Sequence, residues 1–174
     1  RLGDGRDLET SIRRRVTDAL PPGELSFNPV GSGLKAREQT TPTEDDPTWR
    51  QRRVWGEVHD ENACGVGGVA GHAGLFGTAR ALAAFGQIWL DEREPFGVPA
   101  TLRDAAISEQ APTGGVRRGL GWALKAAENS MAGDSLSMAS FGHSGFTGTT
   151  LWVDPEAGLV ITTLTNSVYH GRHS

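Results

Sequence analysis

The alternation of apolar and polar positions divides this chain into a helical front and a strand-rich back. Residues 8–20, LETSIRRRVTDAL, place Leu8, Ile12, Val16 and Leu20 four apart. That spacing returns to one face of a helix, with Arg13 and Arg14 turned away from the stripe. Pro21 and Pro22 stop it. From 21 to 57 the pattern is polar and irregular, broken by Pro29, Pro42 and Pro47 and carrying the charged run TEDDPTWRQRR. Trp49 and Trp55 are expected to anchor this stretch as an ordered surface excursion, since a flexible linker seldom carries two indole rings. Thr78 caps a second helix, ARALAAFGQIWLDE, in which Leu82, Phe85 and Trp89 share a face. A short third helix is expected to open at Thr101, with Asp104 in the capping-box position.

After Thr113 the pattern changes to strands. GLGWAL, LSMASFGH, TTLWVD and GLVITTLTN are short, rich in β-formers and separated by turn residues, and DPEAG at 154–158 is a tight hairpin connection. Helices followed by an antiparallel meander give an α/β fold in the α+β sense, read as one domain without internal repeats. Trp89, Trp122 and Trp152 fall on apolar faces and belong to the core, with Trp122, beside Gly121, also able to reach a cleft rim.

Composition narrows the function classes. With 174 residues, 37% of them hydrophobic, the chain can bury one real core. A formal net charge of -4 gives no footprint for nucleic acid or an anionic membrane. No apolar run approaches the roughly 18 residues of a membrane helix. The opening RLGDGRDLET has neither an apolar signal region nor an initiating Met, so a fragment or processed form is expected, and no compartment follows from it. Cys64 is the single cysteine, which excludes an internal disulfide.

Three segments carry candidate chemistry. GVGGVAGHAGLFG, residues 65–77, holds six glycines and marks a loop shaped by its backbone. Its GVGGVA satisfies Gly-x-Gly-x-x-Ala, but no apolar strand precedes it and the next helix waits until Thr78, so no nucleotide or other cofactor is expected. VHDENA, residues 58–63, crowds His59, Asp60, Glu61 and Asn62 together. With His72 thirteen residues beyond His59, no compact ligand pair arises, and no metal is expected. Two readings of this segment stay open: contact with a substrate through His59 or Asn62, or Asx-type hydrogen bonds to the loop's own backbone. Finally, Gly142-His143-Ser144-Gly145-Phe146 fails as a nucleophile elbow, because the closing Gly is absent and a strand, not a helix, follows.

GLGW, FGHSGFTGTTLWVDPEAGLVITTLTN and GEVHDENACGVGGVAGHAGLFGTARALAAFGQIWL together resemble the serine β-lactamase-related family, which includes class C β-lactamases, DD-peptidases and esterases. The resemblance covers about residues 8–168 and implies a partial β-lactamase/DD-peptidase-like fold. It places His143 and Ser144 at the positions of the family's Lys-Thr-Gly lysine and threonine, where they hydrogen-bond substrate and help to move protons. Gly145 keeps the strand surface open to substrate, and the backbone N–H of Phe146, next along the strand, is one of two oxyanion donors. The VHDENA segment falls near the mouth of the cleft, which is what would bring His59 and Asn62 to substrate.

The family's nucleophile lies in a Ser-x-x-Lys, followed by a Tyr-x-Asn. The one literal Ser-x-x-Lys, Ser32 to Lys35, falls in the polar excursion, and Tyr169, the one tyrosine, has no Asn two residues on. The chain is therefore expected to be a single incomplete domain, residues 1–174, lacking the nucleophile-bearing part and the closing C-terminal helix. Its expected partner is a small-molecule ester or amide cleaved by an acyl-enzyme mechanism, and the isolated chain is expected to be inactive. Histidine in place of lysine forgoes a permanent charge, which tilts the substrate toward an ester or an uncharged amide. A non-catalytic relic or binding module that keeps the cleft wall is the alternative. The sequence does not fix the oligomeric state.

Overall fold

A computed structural model describes residues 5–113 and 116–172. Helices and antiparallel sheet make a mixed α/β architecture, divided into two compact units: residues 1–81 with 165–174, and residues 82–164.

In the first unit, α1 (Leu8–Arg15) is capped by Asp7, whose carboxylate accepts the Thr10 N–H at 2.7 Å. It stops five residues short of the expected Leu20. The Thr17 hydroxyl donates to the Arg13 carbonyl at 3.2 Å, and Thr17–Ala19 tightens into a 3₁₀ turn before the two prolines. A side-chain bond to the carbonyl four residues back competes with the helix ladder in this way. Strand β1 (Leu25–Phe27) will pair with a later strand. The two-residue strands β2 (Asp45–Asp46) and β3 (Arg52–Arg53) form a small hairpin. Asp46 closes its turn by accepting the N–H groups of Thr48, Trp49 and Arg50 at 3.0–3.1 Å.

Of the two expected anchors in this excursion, Trp55 serves: it is half-buried, and its indole N–H donates to the Thr40 carbonyl at 2.8 Å. Trp49 does not. It is 53% exposed at the hairpin turn, covered by the Arg50 guanidinium 4.7 Å above its ring, and Arg50 does the anchoring by donating to the carbonyls of Val58 and His59. Helix α2 (Glu61–Gly65) leads into the glycine loop, which closes on Asn28: its amide donates to the Gly67 carbonyl at 2.9 Å, and a Cβ on Gly68 would collide with it. Strand β4 (Leu75–Gly77) then pairs antiparallel with β1. Residues 165–172 return to this unit, where Arg172 bonds Glu44 and Glu61 and buried Val168 joins the unit.

Helix α3 (Ala79–Asp91) is capped by Thr78, whose hydroxyl accepts the Ala81 N–H at 3.1 Å. Helix α4 (Ala100–Ala106) has Pro99 at its N-cap, two residues before the expected cap at Thr101. Thr101 therefore lies inside the helix and caps nothing, and Asp104 pairs with Arg93 and Arg103 at 3.2 Å instead of closing a capping box. Six antiparallel strands complete the second unit: β5 (Ala111–Thr113), β6 (Val116–Arg118), β7 (Ala123–Leu124), β8 (Phe141–Ser144), β9 (Thr150–Asp154) and β10 (Leu159–Thr163), ordered β10-β9-β8-β7-β6-β5.

The core of this unit forms where α3 meets the sheet. Trp89, Ala106, Leu124, Phe141 and Val153 are buried together, with Phe85, Trp122 and Val160 packed against them. Trp89 and Trp122 meet edge to face at 5.3 Å, as do Trp122 and Phe141, a geometry the ring quadrupoles favour. Gly86 marks the closest approach of helix to sheet: a Cβ there would lie 2.6 Å from a Val160 methyl. Among the described residues no helix is long and apolar enough to cross a membrane.

Candidate active site

Strand β8 has two different ends. Phe141 and Gly142 sit in ladders on both sides, paired with β7 (Leu124↔Phe141, Ala123↔Gly142) and with β9. His143 and Ser144 keep only the β9 partner, through His143↔Leu151 and Ser144↔Thr150. The cause lies in β7, which is two residues long. GLGWAL reads as a strand, but Gly121 takes a positive φ of 82° and the Gly119 N–H donates to the Trp122 carbonyl, so the chain turns away just before Ala123. Phe141 is fully buried and holds the strand, while His143 emerges to the surface two residues on.

A cavity of about 640 Å³ opens at this end, lined by Arg118, His143, Ser144, Trp152 and the segment 126–131. His143 Nδ1 lies 2.8 Å from its neighbour's carbonyl, Ser144 O, and its Nε2 lies 3.1 Å from an Arg118 guanidinium nitrogen. The Ser144 hydroxyl donates to the Met131 sulfur at 3.3 Å, a weak acceptor. The wall formed by 126–131 is held at its base. Ser130 Oγ accepts the N–H groups of Ala126 and Ala132, and buried Lys125 donates from Nζ to the Gly133 carbonyl at 2.6 Å.

Gly145 and Phe146 lie beyond the strand. The Gly145 N–H donates to the Thr149 carbonyl at 2.7 Å, closing the hairpin into β9, and a Cβ on Gly145 would meet the Thr149 hydroxyl. The absent side chain thus answers to hairpin closure. Phe146 is not next along the strand, as expected, but in the turn, with its ring 66% exposed, because β8 ends at Ser144.

His59 and Asn62 belong to the first unit. The His59 side chain is 11% exposed, and its Nε2 is 3.2 Å from Glu44 Oε1. Asn62 is exposed on α2. The neighbouring Asp60 caps that helix, accepting the Ala63 N–H at 2.8 Å, and meets His72 Nε2 at 3.1 Å. The bond from Ala63, ahead of the His72 contact, holds the Asp60 carboxyl below the usual carboxylate range. Among the described residues no three His, Cys, Asp or Glu side chains are grouped to hold a metal ion. Ser32 and Lys35 are both exposed in a turn, where the Ser32 hydroxyl bonds the Pro29 carbonyl.

Arg118, Lys125 and Met131 escaped the sequence reading. The visible signal was RR at 117–118 directly before GLGW, and a nine-residue segment, KAAENSMAG, too long for a tight hairpin. Neither says which side chains meet.

Comparison with known proteins follows the same segments. The profile of the family described as Beta-lactamase matches residues 2–174. A protein named D-alanyl-D-alanine carboxypeptidase from Escherichia coli (strain K12) is 30% identical over 179 residues, covering 93% of this chain and 40% of its own length. An N-acetylmuramyl-L-alanine amidase from Bacillus subtilis (strain 168) is 31% identical over 175 residues, with the same coverage. The chain thus spans about 40% of the length of the curated relatives it matches.

Proposed function

Because the chain belongs to the beta-lactamase family of serine hydrolases, we propose that it forms one wall of an acyl-transfer site that cleaves an amide or ester bond. The observation that carries this reading is the half-paired end of β8, where His143 and Ser144 open onto the cavity. In the reaction a serine hydroxyl attacks the substrate carbonyl and the tetrahedral intermediate expels the amine or alcohol. Water then releases the acyl group. His143 and Ser144 hydrogen-bond the substrate and relay protons, while the Phe146 N–H serves as one oxyanion donor. Losing one such donor costs about 2.7–4 kcal/mol of transition-state stabilisation.

In this reading the nucleophile comes from a Ser-x-x-Lys outside these 174 residues. The Ser144 hydroxyl is directed at a thioether, and both ring nitrogens of its neighbour His143 are engaged elsewhere, so no base activates it. Ser32 sits in an exposed turn with no base against its hydroxyl. Arg118 also changes the charge argument. Its guanidinium stands 3.1 Å from His143, so the permanent charge that a histidine forgoes is present beside it, and the tilt away from charged substrates loses its premise. The names of the two relatives both describe cleavage of an amide bond, which favours an amide over an ester.

A fluorophosphonate probe tests the proposal. The isolated chain is expected to stay unlabelled, and the longer protein to be labelled at the serine of its Ser-x-x-Lys. Stoichiometric labelling of the isolated chain at Ser144 or Ser32 overturns the assignment. An unlabelled longer protein favours the non-catalytic binding module instead.

A further inference from the structure

We propose that Arg118 is a positioning residue for His143: it fixes the imidazole as the Nδ1–H tautomer and holds the acceptor nitrogen, Nε2, at the cavity wall. The inference rests on reading the end of β8 as the functional site, but its chemistry is independent of any turnover.

Two contacts assign the same tautomer. A neutral imidazole has one donor and one acceptor nitrogen, a guanidinium only donates, and a carbonyl oxygen only accepts. Arg118 lies 3.1 Å from Nε2, so Nε2 must carry the lone pair. Ser144 O lies 2.8 Å from Nδ1, so Nδ1 must carry the hydrogen. The second contact reaches only the adjacent residue, so by itself it restrains the ring weakly. The first crosses the sheet, over a sequence separation of 25 residues.

Sheet register places Arg118 two strands away from β8. Arg118 pairs with Ala123, and Ala123 with Gly142, forming one cross-strand row. The residue between the arginine and β8 in that row is Ala123, whose side chain is a single methyl, and the guanidinium meets His143 one residue past Gly142. Arginine has five donor hydrogens in a fixed fork, and the one bond to Nε2 leaves others directed to the cavity that Arg118 lines. Nδ1 faces the strand's own backbone, so the nitrogen presented for accepting a proton from a bound group is Nε2, once that group displaces the guanidinium.

Nitrogen-15 spectra of the His143 ring, recorded on this chain at mildly alkaline pH and assigned by the loss of signals in His143→Gln, test the proposal. The wild-type ring is expected to show a protonated Nδ1 and an unprotonated Nε2, with widely separated shifts. In Arg118→Met the two shifts are expected to move together as the Nε2–H form becomes populated, and in Arg118→Lys, which restores a donor, to stay apart. Circular dichroism should be unchanged in both variants, since Arg118 is exposed. A wild-type ring protonated at Nε2, or an Arg118→Met spectrum identical to wild type, overturns it. Because the readout needs no substrate, a failed labelling experiment leaves this result standing, and a failed tautomer assignment leaves the hydrolase reading intact.

Discussion

Asp154 is the most informative single residue to remove. It ends β9, is 1% exposed, and accepts four hydrogen bonds. The Ser137 hydroxyl reaches Oδ1 at 2.6 Å and the Ser137 N–H reaches Oδ2 at 2.7 Å; the Glu156 and Ala157 N–H groups reach Oδ1 at 3.0 and 3.2 Å. One carboxylate thus ties the turn into β10 to the segment that enters β8. In Asp154→Ala the two turn N–H groups can take water, since Glu156 and Ala157 are exposed, whereas the half-buried Ser137 loses both partners. An orphaned donor costs about 1–3 kcal/mol, so the substitution should cost about 3 kcal/mol in all. Asp154→Asn keeps an acceptor for Oδ1 but sets an amide N–H against Ser137 N–H, and should cost about 1–2 kcal/mol.

The assay is urea unfolding followed by near-ultraviolet circular dichroism, which reports the aromatic cluster of the same unit. Its pH dependence supplies the sharper test. Burial alone would raise the Asp154 carboxyl, but the bonds from Ser137, then Ala157 and Glu156, outweigh it and hold the group at about 2, against an ordinary value of 3.8. A depressed acid stabilises above its unfolded value and loses that contribution as pH falls through its folded value. The gap between wild type and Asp154→Asn should therefore be level from neutrality down to about pH 5 and shrink between about pH 4 and 2. An alanine variant within 1 kcal/mol of wild type, or a gap of undiminished size at the acid end, refutes the reasoning.

Two further outcomes are expected. Gly142→Ala puts a Cβ against the Leu151 carbonyl and 2.6 Å from the Trp152 ring, where neither neighbour can yield without opening the β8–β9 ladder, so it should cost about 1–3 kcal/mol in urea unfolding. Gly145→Ala meets only the Thr149 hydroxyl, which can rotate, and should cost less; the reverse order would refute the packing account. Arg172→Met strips Glu44 of the bond that, against burial and ahead of His59, holds its carboxyl low. It should destabilise the first unit by about 2 kcal/mol at neutral pH, by hydrogen exchange, and by less as pH falls out of the ordinary carboxylate range and through the depressed value of Glu44. An equal loss at neutral and acid pH would count against it.

What the sequence made legible follows from how far each signal reaches along the chain. Thr78 and the Leu82, Phe85, Trp89 face announced α3 because cap and stripe are both local, and the β-rich runs announced β9 and β10 for the same reason, whereas of LSMASFGH only Phe141, Gly142 and His143 are strand. APT and VRR carry no alternation, so β5 and β6 passed unread; they exist because a neighbouring strand pairs with them. In GLGWAL the β-formers outvoted the glycines, and the structure reverses the vote: only Ala123 and Leu124 remain strand. The helix at 8–20 lost its last turn to a single hydroxyl on Thr17, a competition that apolar spacing does not register.

The site was legible only as far as β8 itself, and the shortness of β7 shows why. Had GLGWAL run as a full strand, it would have extended the ladder past Gly142 and covered the edges of His143 and Ser144. Ending at Ala123, β7 leaves that edge to the cavity. The same two-residue strand places the small Ala123 between Arg118 and Gly142, and a guanidinium from β6 meets the histidine of β8 one residue beyond that row. Exposure of the strand end thus traces to the glycine turn at 119–121. That cause is written in GLGW, but its effect depends on the register between β7 and β8. The family resemblance could mark His143 as a candidate functional group. Only the sheet could supply the residue that sets which of its nitrogens accepts a proton.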